Sequence, residues 1–141
     1  EMLRSLVGSE MCIRDRSLVI GESHSIGVPI AVAANYSFIV KSATVVIHPV
    51  RMTGTILGTR QTYRQFRSIQ DRIVRFISEH SRCGEESIEK MMMDTSMMSS
   101  DLGTILVGEE AVEAGLIDEN GSIDKAWNKL KFICQNKGKM V

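Results

Sequence analysis

Residues Ser17–Ala34 read SLVIGESHSIGVPIAVAA, and the fold turns on how this stretch divides. Ser17-Leu-Val-Ile-Gly21 is a short, β-branched apolar run closed by glycine, which suits a strand buried on both faces of a sheet. From Ser25 onward the residues are small and apolar, and Pro29 stands where a first helical turn tolerates it, so a buried helix is expected. Glu22 to His24 are left to make the turn. A serine between a strand and a helix has two uses. It can cap the helix, a role that serine fills often, or it can act as a nucleophile if a base and oxyanion donors are near. The local sequence leaves both open, and Ser23 competes for the cap.

Working outward, Ser37-Phe-Ile-Val40 and Thr44-Val-Val-Ile-His-Pro49 are further strand candidates, the second ending where proline removes a ladder donor. Gly54, Gly58 and several threonines give Val50 to Thr59 the character of an extended segment. Thr62-Tyr-Arg-Gln65 matches a capping box. After it Tyr63, Phe66, Ile69, Ile73, Phe76, Ile77 and His80 recur at helical spacing, with charged residues opposite on a solvated face. A helix over Glu85–Met93, a strand over Leu102–Val107, a helix over Glu109–Ala114 closed by Gly115, a strand over Leu116–Asp118 and a last helix from about Asp124 complete the pattern. Ile123, Ala126, Trp127 and Leu130 share one face of that last helix. The clustered Met91, Met92, Met93, Met97 and Met98 read as adaptable core packing. Strands alternating with helices predict an α/β domain with a largely parallel central sheet.

Composition removes several classes of function. The 141 residues carry 17 basic and 17 acidic side chains, so nothing in the charge favours nucleic acid or an anionic membrane. Cys12, Cys83 and Cys134 are far apart, without metal-ligand or disulfide spacing. No metal or cofactor is expected, and a reducing cytoplasm fits. The longest apolar runs fall far short of the roughly 20 residues that span a bilayer. Ser5 to Arg16 has neither helical nor strand periodicity. It resembles a translated sequencing adapter, so residues 1–16 are expected to be the end of an upstream helix plus a foreign stretch, an irregular loop being the alternative. The domain is expected over 17–134, with a polar tail at 135–141.

Chemistry concentrates at two places. The backbone N–H of Ile26, at the helix start, is a candidate oxyanion donor, and Gly27 would let a substrate backbone approach. His48 ends a strand at the carboxyl edge of the sheet, where open α/β sheets place their sites, and is the candidate base. His24 is too close in sequence to Ser25 to face it, and His80 reads as structural. The arrangement is a cousin of the strand-to-helix nucleophile elbow, with Ser23 where that pattern has its first glycine.

With these residues in hand, the chain resembles the ClpP-type serine peptidases, in particular the branch of translocation-enhancing proteins. GESHSIGVPIAV, VVIHPVRMTG, QTYRQFRSIQDRIVRFISEHS and GTILVGEEAVEAGLID carry the resemblance. It implies a ClpP/crotonase-like spiral of ββα units, here a partial domain, and peptide-bond hydrolysis in the cytoplasm by a homo-oligomeric ring. The substrate would be a peptide or unfolded protein, and an ATP-dependent unfoldase is a candidate partner. It carries over Ser25 as nucleophile and His48 as base, with Asp101 as the acid and Asp94 as the fallback. Asp118 is assigned to structure. Ile26 and Gly27 fall at the oxyanion hole, and Val50, Arg51, Met52, Thr53 and Gly54 lie beside the bound peptide as an added strand. Two departures stand out. Glu22 replaces a glycine of the branch beside the nucleophile, and the upstream glycine pair that supplies the second oxyanion amide is not in this sequence. A catalytically inactive assembly subunit is therefore one alternative, and a crotonase-like acyl-CoA enzyme a more distant one.

Overall fold

A computed structural model describes residues 16–51, 53–55, 57–96 and 103–135, with side chains through residue 132. Two successive ββα units organise it. The first comprises β1 (Arg16–Val19), β2 (Glu22–His24) and α1 (Gly27–Val32). The second comprises β3 (Tyr36–Ile39), β4 (Thr44–Ile47) and the long α2 (Arg60–Glu79), followed by α3 (Glu85–Met92). The chain then adds β5 (Thr104–Val107), α4 (Glu109–Glu113), β6 (Glu119–Asn120) and α5 (Ile123–Gln135). No helix among the described residues is long and apolar enough to cross a membrane.

The units stack so that their first strands pair in one sheet and their second strands in another. Leu18 stands opposite Phe38 in the parallel β1–β3 ladder, and Ser23 opposite Val45 in the parallel β2–β4 ladder. The sheets run in the order β1-β3-β6 and β2-β4-β5. This corrects the expectation of one central sheet. The chain steps from one sheet to the other between β1 and β2, and again between β3 and β4. The second sheet is also mixed, because β5 lies antiparallel to β4. Glu22 to His24, expected to be a turn, form β2, because β4 supplies a partner to which even a polar tripeptide can bond. Only its central residue, Ser23, turns inward.

The core lies between the sheets and the helices, with Val28, Val32, Ile39, Val45, Ile47, Val74, Ile77, Ile88, Leu116 and Ile117 fully buried. At about 25 cal/mol per Å² of apolar surface, burial of such side chains is the main favourable term. Leu116 to Asp118 is not a strand. Leu116 N–H and Ile117 N–H both donate to the Ala111 carbonyl oxygen, so the run folds back under α4 and the ladder with β3 falls to β6. Gly115, at φ +77°, makes that reversal, as its place at a helix end suggested.

The long helix begins one turn earlier than its capping-box pattern implies. Thr59 is the N-cap, and its hydroxyl oxygen accepts from Thr62 N–H. Thr59→Ala is expected to cost about 1 kcal/mol, the usual loss for an N-cap, read as a lowered midpoint in urea. Thr62→Ala should cost less. Of the expected apolar stripe, only Ile77 is fully buried, joined by Val74. Tyr63 is 67% exposed, so the front half of the helix stands clear of the core.

Candidate active site

Ser25 is the residue immediately after β2, and His48 the residue immediately after β4. Because these strands are parallel neighbours, their carboxyl ends lie side by side. The Ser25 N–H donates to the Val46 carbonyl at 3.1 Å, which locks the serine to the strand that delivers His48. Both residues line one cavity of about 170 Å³, floored by Ile73, Ile77 and Met92 from α2 and α3.

The geometry bears on the two uses of Ser25. The N-cap position of α1 is held by Ile26, and no side chain caps the helix, so neither Ser25 nor Ser23 does so. Ser25 is instead at φ +54°, the only non-glycine residue at positive φ among the described residues. Serine adopts this left-handed conformation at a cost of order 1–3 kcal/mol, and such strain persists where the surroundings over-determine it. A sharp strand-to-helix turn with an exposed serine at its apex is the geometry of a nucleophile elbow. Beside it, the Ile26 N–H has no acceptor among the described residues, as expected of a first helical amide.

His48 is half-buried, and its Nδ1 lies 2.7 Å from the Pro49 carbonyl oxygen. A carbonyl only accepts, so Nδ1 carries the proton, and in the neutral ring Nε2 is left with a lone pair. That is the tautomer a general base needs. Among the described residues no hydrogen bond joins the Ser25 hydroxyl to His48; such bonds are often long before substrate binds.

The two candidate acids differ. Asp101 lies outside the described residues. Gly103, two positions on, packs directly against His48: a Cβ on it would lie 2.9 Å from His48 Cβ. Asp94 is committed elsewhere. Its carboxylate accepts from Ser96 N–H at 2.8 Å, and this bond holds its pKa below the usual aspartate value. Asp118 clamps two elements, its Oδ2 accepting from both the backbone N–H and the hydroxyl of Ser37.

Of the remaining expected residues, Val50 and Arg51 line the same cavity as Ser25 and His48, whereas Thr53 and Gly54 are exposed on the segment beyond. Met52 lies outside the described residues. Gly27 meets its own chain: a Cβ there would stand 2.8 Å from the Ser23 hydroxyl oxygen, so its smallness serves packing within the elbow. Glu22 is solvated and points its carboxylate toward His24 at 3.8 Å. His80 stacks on Phe76 and donates from Nδ1 to its carbonyl at the end of α2. Burial pushes the Cys83 thiol up, away from nucleophilic use. Among the described residues no cluster of acidic, His and Cys side chains could hold a metal. A larger concavity, of about 730 Å³ beside Ile20, Ile26 and Ile30, contains neither Ser25 nor His48.

Sequence reasoning missed Gln70. Its side chain accepts from Val50 N–H at 3.3 Å. A polar residue among the charges of a long helix gives no signal of such a role.

Two comparisons bear on this arrangement. The family profile described as Clp protease matches residues 12–122. The translocation-enhancing protein TepA of Halalkalibacterium halodurans is 50% identical over 121 residues, which cover 86% of this chain and 47% of that protein. The chain thus spans about half the length of this curated relative. The profile takes in both ββα units and the strand ends that carry Ser25 and His48, and the chain belongs to the Clp protease family.

Proposed function

We propose that the chain is the catalytic part of a ClpP-type serine peptidase subunit. The observation that carries this is Ser25, held at φ +54° at a strand end and sharing one cavity with His48. In the reaction, His48 Nε2 takes the Ser25 hydroxyl proton as Oγ attacks the scissile carbonyl carbon. The oxyanion of the tetrahedral intermediate is met by the Ile26 N–H. The imidazolium then gives its proton to the departing amine as the C–N bond breaks, which leaves an acyl-enzyme. Water, deprotonated by the same imidazole, hydrolyses the ester and restores Ser25.

Substrate enters this reading as an extended peptide laid along Val50, Arg51, Met52, Thr53 and Gly54. One apolar side chain of about leucine or methionine size would occupy the cavity over Met92. Asp101 is the proposed acid. Gly103 lies against His48, and two residues of chain span at most about 7 Å. The fallback Asp94 is engaged by Ser96. Ring assembly and delivery of unfolded substrate by an ATP-dependent partner belong to the same proposal.

A second reading, a non-catalytic assembly subunit, is favoured by the absence of a Ser25–His48 hydrogen bond among the described residues. A serine-directed phosphonate, applied to the whole chain, separates the two. Label on Ser25 is expected, and no label at any pH supports the assembly subunit. Asp101→Asn should lower peptidase turnover and leave the far-UV spectrum unchanged. The loss should stay below the about 10⁴-fold seen where an acid alone sets the tautomer of the base. Full turnover in this variant overturns the choice of Asp101.

A further inference from the structure

The Pro49–Val50 peptide unit is bonded at both ends. Its carbonyl oxygen lies 2.7 Å from His48 Nδ1, and its N–H donates to Gln70 Oε1 at 3.3 Å. A trans peptide is planar and points these two groups in opposite directions, so whatever holds the N–H also aims the carbonyl. Pro49 removes one further freedom, because its ring fixes φ near −65°. His48, Pro49, Val50 and Gln70 are all half-buried, where such bonds are screened less than at the surface and each polarises the next.

We infer that Gln70 is a positioning residue for the base: through the Pro49–Val50 peptide it holds His48 in the Nδ1–H tautomer, with Nε2 free to take the serine proton. The assignment rests on the peptidase reading for its purpose, but the tautomer itself is independent of catalysis. It also gives the acid a narrower task. With Nδ1–H already oriented by the peptide, a carboxylate has only to stabilise the imidazolium once it forms. Gln70 belongs to α2 and Val50 opens the proposed substrate segment, so the same bond ties the long helix to peptide binding. Val50 N–H can only donate, so what the position requires is an acceptor. Glutamate supplies one; leucine and alanine do not.

The test is side-chain ¹⁵N spectroscopy of the whole chain with labelled histidine, at a pH where the rings are neutral. His24 and His80 serve as internal references. In the unaltered chain His48 should show a protonated Nδ1 and an unprotonated Nε2. Gln70→Leu should give a mixture of tautomers at His48 alone, and Gln70→Glu should restore the single form. Gln70→Ala serves as the acceptor-free variant if leucine does not fold. An Nε2–H tautomer in the unaltered chain, or a single Nδ1–H tautomer in both acceptor-free variants, overturns the inference. Phosphonate labelling of the chain is read separately. There Gln70→Leu should slow labelling by about 10- to 100-fold, the range that small misplacements cost, and Gln70→Glu should recover it. Absence of label in every variant, the unaltered one included, fails the peptidase reading and leaves the tautomer result standing.

Discussion

Ser25→Ala is expected to abolish phosphonate labelling and to lower peptidase turnover by about 10⁶-fold, the scale of nucleophile loss in a well-studied serine protease. The folded state should hardly notice. The Ser25 hydroxyl caps no helix, and the residue is exposed, so stability should change by no more than about 0.5 kcal/mol. This pairing of outcomes separates the two uses of a serine at a helix start. A capping serine would cost about 0.5–2 kcal/mol on truncation and leave chemistry to another residue. Alanine is the right replacement because it keeps the burden of the +54° backbone. Ser25→Gly would relax that strain while giving the unfolded chain more freedom, mixing backbone effects with loss of the hydroxyl. A stability loss near 1 kcal/mol in Ser25→Ala with label still taken up elsewhere would mean that the elbow is structural.

What the sequence disclosed follows from which forces are local. β1, β3, β4 and β5 are β-branched apolar runs, and each appears close to its expected place. β2 was hidden. Glu22, Ser23 and His24 have no strand pattern of their own and become a strand because Thr44, Val45 and Val46 lie alongside. The division into two sheets was equally hidden, because periodicity identifies strands without saying which pairs with which. Leu116 and Ile117 show the converse. Their apolar character correctly marks burial, at 1% exposure each, but burial under a helix end looks the same in sequence as burial in a ladder. The two threonines of the long helix are a third case. Thr59 and Thr62 stand three apart with their hydroxyl oxygens 2.9 Å from each other, and either can begin a capping pattern.

The candidate site was legible where a residue type is chemically rare in its place. A serine between an apolar strand and a helix, and a histidine closing a strand before proline, each ask for an explanation beyond packing. The parallel β2–β4 pairing brings them to one cavity. Gln70 and Gly103 were illegible for a different reason. Each acts on His48 through backbone: Gln70 through the peptide after it, and Gly103 by lying against it across a strand pair. Contacts between backbone and a distant element leave no periodicity and no motif.

Gly103→Ala is where that backbone contact should show most strongly. Gly103 is at φ +136°, a conformation costly for any residue with a Cβ. The added carbon would sit 2.6 Å from the Ile47 carbonyl oxygen and 2.9 Å from His48 Cβ. Neither neighbour can yield cheaply, since one is backbone in β4 and the other belongs to His48, whose ring is hydrogen-bonded to the Pro49 carbonyl. Backbone strain and overpacking each contribute on the order of 1–3 kcal/mol. A combined loss of about 3 kcal/mol is expected, read as a drop in Tm on the order of 10 °C. Gly58→Ala is the control. Gly58 lies in the exposed segment before α2, where an added methyl group would meet nothing within 4 Å, so the change should shift stability by no more than about 0.5 kcal/mol. Under conditions where Gly103→Ala remains folded, the His48 ¹⁵N signals should move while those of His24 and His80 stay. A strand that shifts against β4 here presses on His48 directly. Unchanged Tm and unchanged His48 signals would mean that β5 does not approach β4 at this point, and the support that Gly103 lends to the proposal of Asp101 as the acid would be lost with it.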